Sequence, residues 1–156
     1  LIINNALQGK KLPVYGDGKN VRDWLFVEDH AKAIDMVQEQ GRLFETYNVG
    51  GHNEKQNIEI INIIIDTLQE MLPADDPRRA LVSNDLITYV EDRKGHDRRY
   101  AIAPDKIKAE IGWYPETDFA TGIKKTIAWF FEHEDWMKNV TSGDYQKYYD
   151  DMYANK

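Results

Sequence analysis

One run of residues constrains the fold more than any other. Between Asn57 and Leu72, Ile58, Ile61, Ile64, Ile65, Leu68 and Leu72 recur three or four positions apart, and Pro73 lies just beyond. That spacing lines one face of a helix with apolar side chains, and the proline marks its end. The isoleucine density would also suit a strand, but strands run about 4–8 residues, so the length favours a helix. So broad an apolar stripe must be covered, and the remaining segments are expected to supply the cover.

Those segments alternate short strands with helices. Leu12 to Tyr15 and Val21 to Val27 read as strands around the turn Gly16-Asp17-Gly18. Val27, Ala31, Ile34 and Val37 set a helix from Glu28 to Gln40 that Gly41 closes. Thr46 to Val49 reads as a strand broken by Gly50-Gly51, Pro73 to Arg79 as a polar loop, and Ile87 to Val90 as a strand. Arg99 to Ile102 reads as an edge strand. Pro104 suits the first position of a short helix that ends at Gly112, with Ile107 and Ile111 facing the core. Phe119, Ile123, Ile127 and Phe130 mark a helix from about Asp118 to His133, and the tail beyond it can dock as helical turns or fray. The alternation indicates an α/β architecture of small sheets plus helices.

Composition removes several function classes. The 156 residues are of single-domain length. A net charge of −7, from 20 basic and 27 acidic residues, argues against nucleic-acid binding. No apolar run can span a membrane. Cysteine is absent, which excludes disulfides and a thiol nucleophile and fits a reducing, cytoplasmic setting. His30, His52, His96 and His133 lack metal-ligand spacing, so no metal is expected. Gly50-Gly51 lacks the spacing of a phosphate-cradling loop and reads as a turn. No pair of carboxylates stands out for acid–base work. Leu1 to Gly9 reads as the back half of a helix without an N-cap, so the chain is expected to be a piece of a larger protein; a processed mature terminus is the alternative.

Two segments carry chemistry. Arg22 follows the glycine turn, where a guanidinium can fork onto two phosphate oxygens; the alternative is a surface pair with Asp23. Asp92-Arg93-Lys94-Gly95-His96-Asp97-Arg98-Arg99-Tyr100 carries four basic and two acidic side chains, a local +2 on an acidic chain. Such a loop suits a compact anionic ligand, with Gly95 allowing close backbone approach; the alternative is a solvated loop with local ion pairs.

At these segments the chain resembles the dTDP-glucose 4,6-dehydratases, extended short-chain dehydrogenases/reductases that act on nucleotide sugars. The matching motifs are Leu12-Pro13-Val14-Tyr15-Gly16-Asp17-Gly18, Arg22-Asp23-Trp24-Leu25-Phe26-Val27-Glu28-Asp29-His30-Ala31, Tyr47-Asn48-Val49-Gly50-Gly51-His52-Asn53-Glu54, the loop from Asp92 to Tyr100, Gly112-Trp113-Tyr114-Pro115 with Phe119, and Ser142-Gly143-Asp144-Tyr145. The resemblance implies that residues 1–156 are the C-terminal substrate-binding part of such an enzyme, with the N-terminal Rossmann domain missing. It implies that residues 28–49 pack against that domain. Pro13, Val14 and Tyr15 would line the thymine pocket, Arg22 and Arg93 would grip the diphosphate, and Asn57 would touch the nucleotide. From its place at a helix start Asn57 could equally be a cap alone. Asp92, Arg93, Lys94, Gly95 and His96 would form a loop closing over the nucleotide, and Tyr145 would lie near the substrate. The implied ligand is a dTDP-sugar, the implied cofactor is NAD held by the missing domain with the catalytic residues, and the implied full-length assembly is a homodimer.

Overall fold

A computed structural model of the chain describes residues 1–143, 147–148 and 151–152. Helix α1 (Ile2–Leu7) leads into strand β1 (Leu12–Tyr15), followed by β2 (Val21–Asp23), α2 (Val27–Gln40), β3 (Glu54–Gln56), α3 (Asn57–Met71), β4 (Ile87–Val90), α4 (Asp105–Ile111), α5 (Phe119–Glu132) and α6 (Glu134–Thr141). Two short 3-10 turns, Pro77–Ala80 and Asn84–Leu86, interrupt the stretch between α3 and β4. Strand β1 pairs in parallel with β4, Leu12 opposite Ile87 and Tyr15 opposite Val90. Strand β2 pairs antiparallel with β3, Arg22 opposite Lys55.

Helix α3 does what its pattern demands. Ile60, Ile61, Ile64, Ile65, Leu68 and Leu72 are buried against Ile3, Ala6, Leu12, Val14, Val82 and Ile127, while Ile58 is half-buried at the edge. A smaller cluster joins Ala33 of α2 to Ile107, Ile111 and Trp113 around α4. Trp113 is 1% exposed, and its Nε1 donates to the Asp29 carbonyl at 3.1 Å. Asp118 caps α5 by accepting from the Thr121 backbone N–H, and Ile127 faces the core.

Several expectations are corrected. The second strand stops at Asp23, because its ladder partner among the described residues, β3, is three residues long and the Asp23 carboxylate turns to the Gly51 and Asn53 N–H groups. β3 itself, Glu-Lys-Gln, offers no β-branched or aromatic signal, so only pairing makes it a strand. Residues 46–49 form no ladder among the described residues, since an extended segment needs a neighbour to become a strand. Arg99 makes a single parallel bridge with Val21 rather than opening an edge strand. Pro104 caps α4 instead of occupying its first position. Of the α2 face inferred from Val27, Ala31, Ile34 and Val37, the first three are solvent-facing, Val27 at 69% and Ile34 at 56% exposure, while Val37 is half-buried against the second cluster and Asp29 and Ala33 are buried. The first part of the tail takes the helical alternative, forming α6 over Glu134–Thr141 with no buried residue.

Among the described residues no helix is long and apolar enough to cross a membrane. No group of three or more histidines and carboxylates among them is placed to hold a metal.

Candidate functional site

The turn after β1 builds one wall of the site. Gly18 has φ +72°, and a Cβ there would stand 2.8 Å from Val14 Cγ1 and 3.0 Å from Ile58 Cβ, so only glycine fits this approach. The backbone of α3 is pinned onto the turn, with Ile58 N–H donating to the Gly18 carbonyl and Asn57 N–H to that of Asn20. Alternation along β1 then divides the predicted thymine wall. Val14 is 2% exposed and packs in the core, whereas Pro13 and Tyr15 lie on the other face, half-buried. Any contact Val14 makes with a ligand therefore runs through its main chain.

The charged loop returns to this wall from far along the chain. Asn20 is 1% exposed, and its Nδ2 donates to the Asp97 carbonyl at 3.2 Å. Val21 N–H donates to the Arg98 carbonyl, and Tyr100 N–H to that of Val21. Arg98 forks onto Asp17 at 2.8 and 3.1 Å, and that fork holds the Asp17 carboxyl at about 2. Arg99 pairs with Glu54 on β3. These ties set residues 97–100 beside β2.

Two guanidiniums result, one from each segment. Arg22 donates to its own carbonyl neighbour Val21 at 2.7 Å and to the Asp97 carbonyl at 2.9 Å, with its Cζ 4.4 Å from the Tyr100 ring centroid. It does not pair with Asp23, whose two oxygens are taken by the Gly51 and Asn53 N–H groups. Arg93 stands with Cζ 5.2 Å from the Tyr15 ring centroid and donates to His96 Nε2 at 3.0 Å. An arginine can only donate, so His96 Nε2 accepts, and Nδ1 carries the proton it gives to Asp92 at 2.6 Å. The bond from His96 holds the Asp92 carboxyl below its ordinary range.

Arg22 stacks on the Tyr100 ring, and the charge of Arg93, which stands over Tyr15, reaches the same residue. The Tyr100 hydroxyl donates to Asp97 Oδ2 at 2.5 Å, and Asp97 raises its pKa, while the positive charges of Arg22 and Arg93 both pull it down. Both guanidiniums thus lie within electrostatic reach of one hydroxyl. Among the described residues Arg22, Arg93 and Lys94 form no ion pair, in contrast to Arg98 and Arg99. Unneutralised arginines on one corner are suited to a compact anion bearing several oxygens.

The other predicted residues fall differently. Asn57 is the first residue of α3, but the cap is Gln56, which forms a capping box with Glu59; Asn57 borders the glycine turn and is half-buried. Lys94 is exposed. Gly95 has φ +74° with open space around it, so its backbone angle calls for glycine and no close approach does. His96 has a side chain only 6% exposed, with both ring nitrogens bonded inside the loop. Tyr145 lies outside the described residues. The sequence reading passed over Tyr100, Asp97, Asn20 and the Asp17–Arg98 fork, whose roles depend on partners more than 70 residues away or on a folded loop.

Comparison with known proteins agrees with this frame. The family model described as GDP-mannose 4,6 dehydratase matches residues 1–126. A dTDP-glucose 4,6-dehydratase of Shigella flexneri is 49% identical over the whole chain, which spans 42% of that protein's length. The crystal structure of dTDP-glucose 4,6-dehydratase from Bacillus anthracis in complex with NAD superposes with a TM-score of 0.74 at 47% identity, covering 86% of this chain and 39% of that one. The enzyme of the same name from Streptomyces venezuelae, with NAD and TYD bound, gives a TM-score of 0.76 at 37% identity, with 86% and 38% covered. A family model that takes in most of the chain, and solved structures that share its fold, place this chain in the GDP-mannose 4,6 dehydratase family, among extended short-chain dehydrogenases/reductases similar to the dTDP-glucose 4,6-dehydratases.

Proposed function

We propose that this chain is the C-terminal, substrate-binding portion of a dTDP-glucose 4,6-dehydratase and that it binds the dTDP part of the substrate. The observation that carries this reading is that Arg22 and Arg93, two guanidiniums without carboxylate partners among the described residues, come from separate segments of the chain and both act on Tyr100. Their free N–H groups would fork onto diphosphate oxygens, while Tyr15 and Pro13 offer a flat, partly apolar wall for a base. The full-length enzyme would use NAD to oxidise the sugar at C4, with loss of water across C5–C6 and return of the hydride to C6. The residues here supply no glycine-rich strand–helix cradle for NAD, so that chemistry is assigned to the part of the longer relatives this chain does not span. What remains for this chain is positioning: gripping the diphosphate holds the hexose in register for a reaction performed by other groups.

Isothermal titration tests the reading. The chain is expected to bind dTDP and to prefer it to UDP, and to leave dTDP-glucose unchanged with NAD present. A preference for UDP would move the assignment to an epimerase-like relative. Turnover by the chain alone would overturn the division of labour.

The exposed face of α2 fits the same reading. Val27 and Ile34, with Leu43 at 86% exposure and Phe44 fully exposed just beyond the helix, present apolar surface to water. We propose that residues 28–49 dock on the Rossmann portion of the full-length enzyme. Deprived of that cover, the chain is expected to self-associate in sedimentation velocity, and exchanging Val27 and Ile34 for lysine should return it to monomer. A sharp monomer for the unaltered chain at high concentration would count against the docking face.

A further inference from the structure

We propose that Tyr100 is a positioning residue that keeps Arg22 available to an anion, its ring seating the guanidinium while its hydroxyl occupies the Asp97 carboxylate. This inference rests on the reading of the corner as a diphosphate site, and it concerns how the first arginine is kept ready.

The geometry sets a problem that Tyr100 solves. Arg22 donates to the Asp97 backbone carbonyl at 2.9 Å, and the carboxylate of the same residue is bonded to the tyrosine on which Arg22 stacks, so it is a competitor for the guanidinium's charge. A free carboxylate beside a guanidinium forms an ion pair, and an arginine so paired must give up its partner before it can grip a phosphate. Here the pair does not form. Asp97 Oδ2 instead accepts from the Tyr100 hydroxyl at 2.5 Å, and Asp97 is in no ion pair among the described residues. The Tyr100 ring meanwhile lies under Arg22, centroid 4.4 Å from Cζ, a cation–π contact that fixes the plane of the fork without consuming an N–H. Main-chain bonds hold the device together: Tyr100 N–H to the Val21 carbonyl on one side, and Asn20 Nδ2 to the Asp97 carbonyl on the other. Tyr100 is half exposed, so its chemistry can be altered with the core left intact.

Tyr100→Phe keeps the ring and frees the carboxylate. In titrations with dTDP it is expected to weaken binding about two- to fivefold, the range of an exposed ion pair that must be broken. Asp97→Asn added to Tyr100→Phe should restore affinity to within the error of the unaltered chain, since the competing charge is gone, and the loss in Tyr100→Phe should shrink as salt is raised. A purely structural tyrosine would not be rescued by a second substitution on its neighbour. If Arg22→Ala weakens dTDP binding but Tyr100→Phe does not, or if Asp97→Asn fails to restore it, the role given to Tyr100 is wrong and the diphosphate site stands. If Arg22→Ala itself leaves affinity unchanged, the site reading falls first.

Discussion

Trp113→Ala is expected to destabilise the chain by about 3–5 kcal/mol, the usual cost of emptying a large buried aromatic site. The indole is 1% exposed and is the largest side chain in the cluster that joins α2 to α4. Its Nε1 donates to the carbonyl of Asp29, whose carboxylate in turn accepts from Thr117 N–H at 2.9 Å. One side chain thus fastens the start of α2 to the loop before α5. Ala33, Met36 and Val37 of α2 pack on the same cluster, whereas Val27 and Ile34 on its other face touch water. Chemical denaturation followed by circular dichroism would measure the effect. Trp113→Phe, which keeps most of the packing but removes the Nε1–H bond to the Asp29 carbonyl, should cost about 0.5–1.5 kcal/mol for that bond. A loss below about 1 kcal/mol for the alanine variant would show that α2 is not anchored through this cluster.

Arg22→Ala and Arg93→Ala are each expected to weaken dTDP binding by about 1.5–3 kcal/mol, the range of charge-assisted hydrogen bonds. At about 1.4 kcal/mol per decade this is roughly ten- to 150-fold. Because both guanidiniums would address one diphosphate, the double variant should lose a different amount from the sum of the singles. Neither change should unfold the chain: Arg22 bonds to the Val21 carbonyl and to the Asp97 carbonyl of the charged loop, but main-chain bonds of Val21 and the Asn20 side chain hold the same loop, and Arg93 is exposed. Titrations of the three variants beside a thermal melt separate lost binding from lost structure. Unchanged affinity in both single variants would return the two segments to solvated surface.

How far the sequence could be read depended on whether an element's partners were local. Strands β1 and β4 have the expected bounds, and α3 has its expected buried stripe, because alternation and 3.6-residue spacing are properties of consecutive residues. Strand β3 was invisible, since Glu54, Lys55 and Gln56 become a strand only by meeting Val21, Arg22 and Asp23. Residues 46–49 failed for the converse reason, a strand-like composition with no ladder beside it among the described residues. The site divides in the same way. Arg22 and Arg93 stood out as cations near glycines, but Tyr100 looked like one more aromatic residue until the fold placed it under Arg22.

By itself, then, the sequence determined the helices with a committed apolar face, the glycine-bounded turn after β1, and the two charged segments, because each is encoded in neighbouring residues. The tertiary structure alone decided that Val14 faces inward while Tyr15 lies on the other face, that Asp23 holds a backbone turn and forms no pair with Arg22, and that residues 97–100 lie beside β2. The physical reason is that hydrogen bonds and charges choose partners by distance in space. Chain folding brings residues more than 70 positions apart within 3 Å, and no local pattern records it.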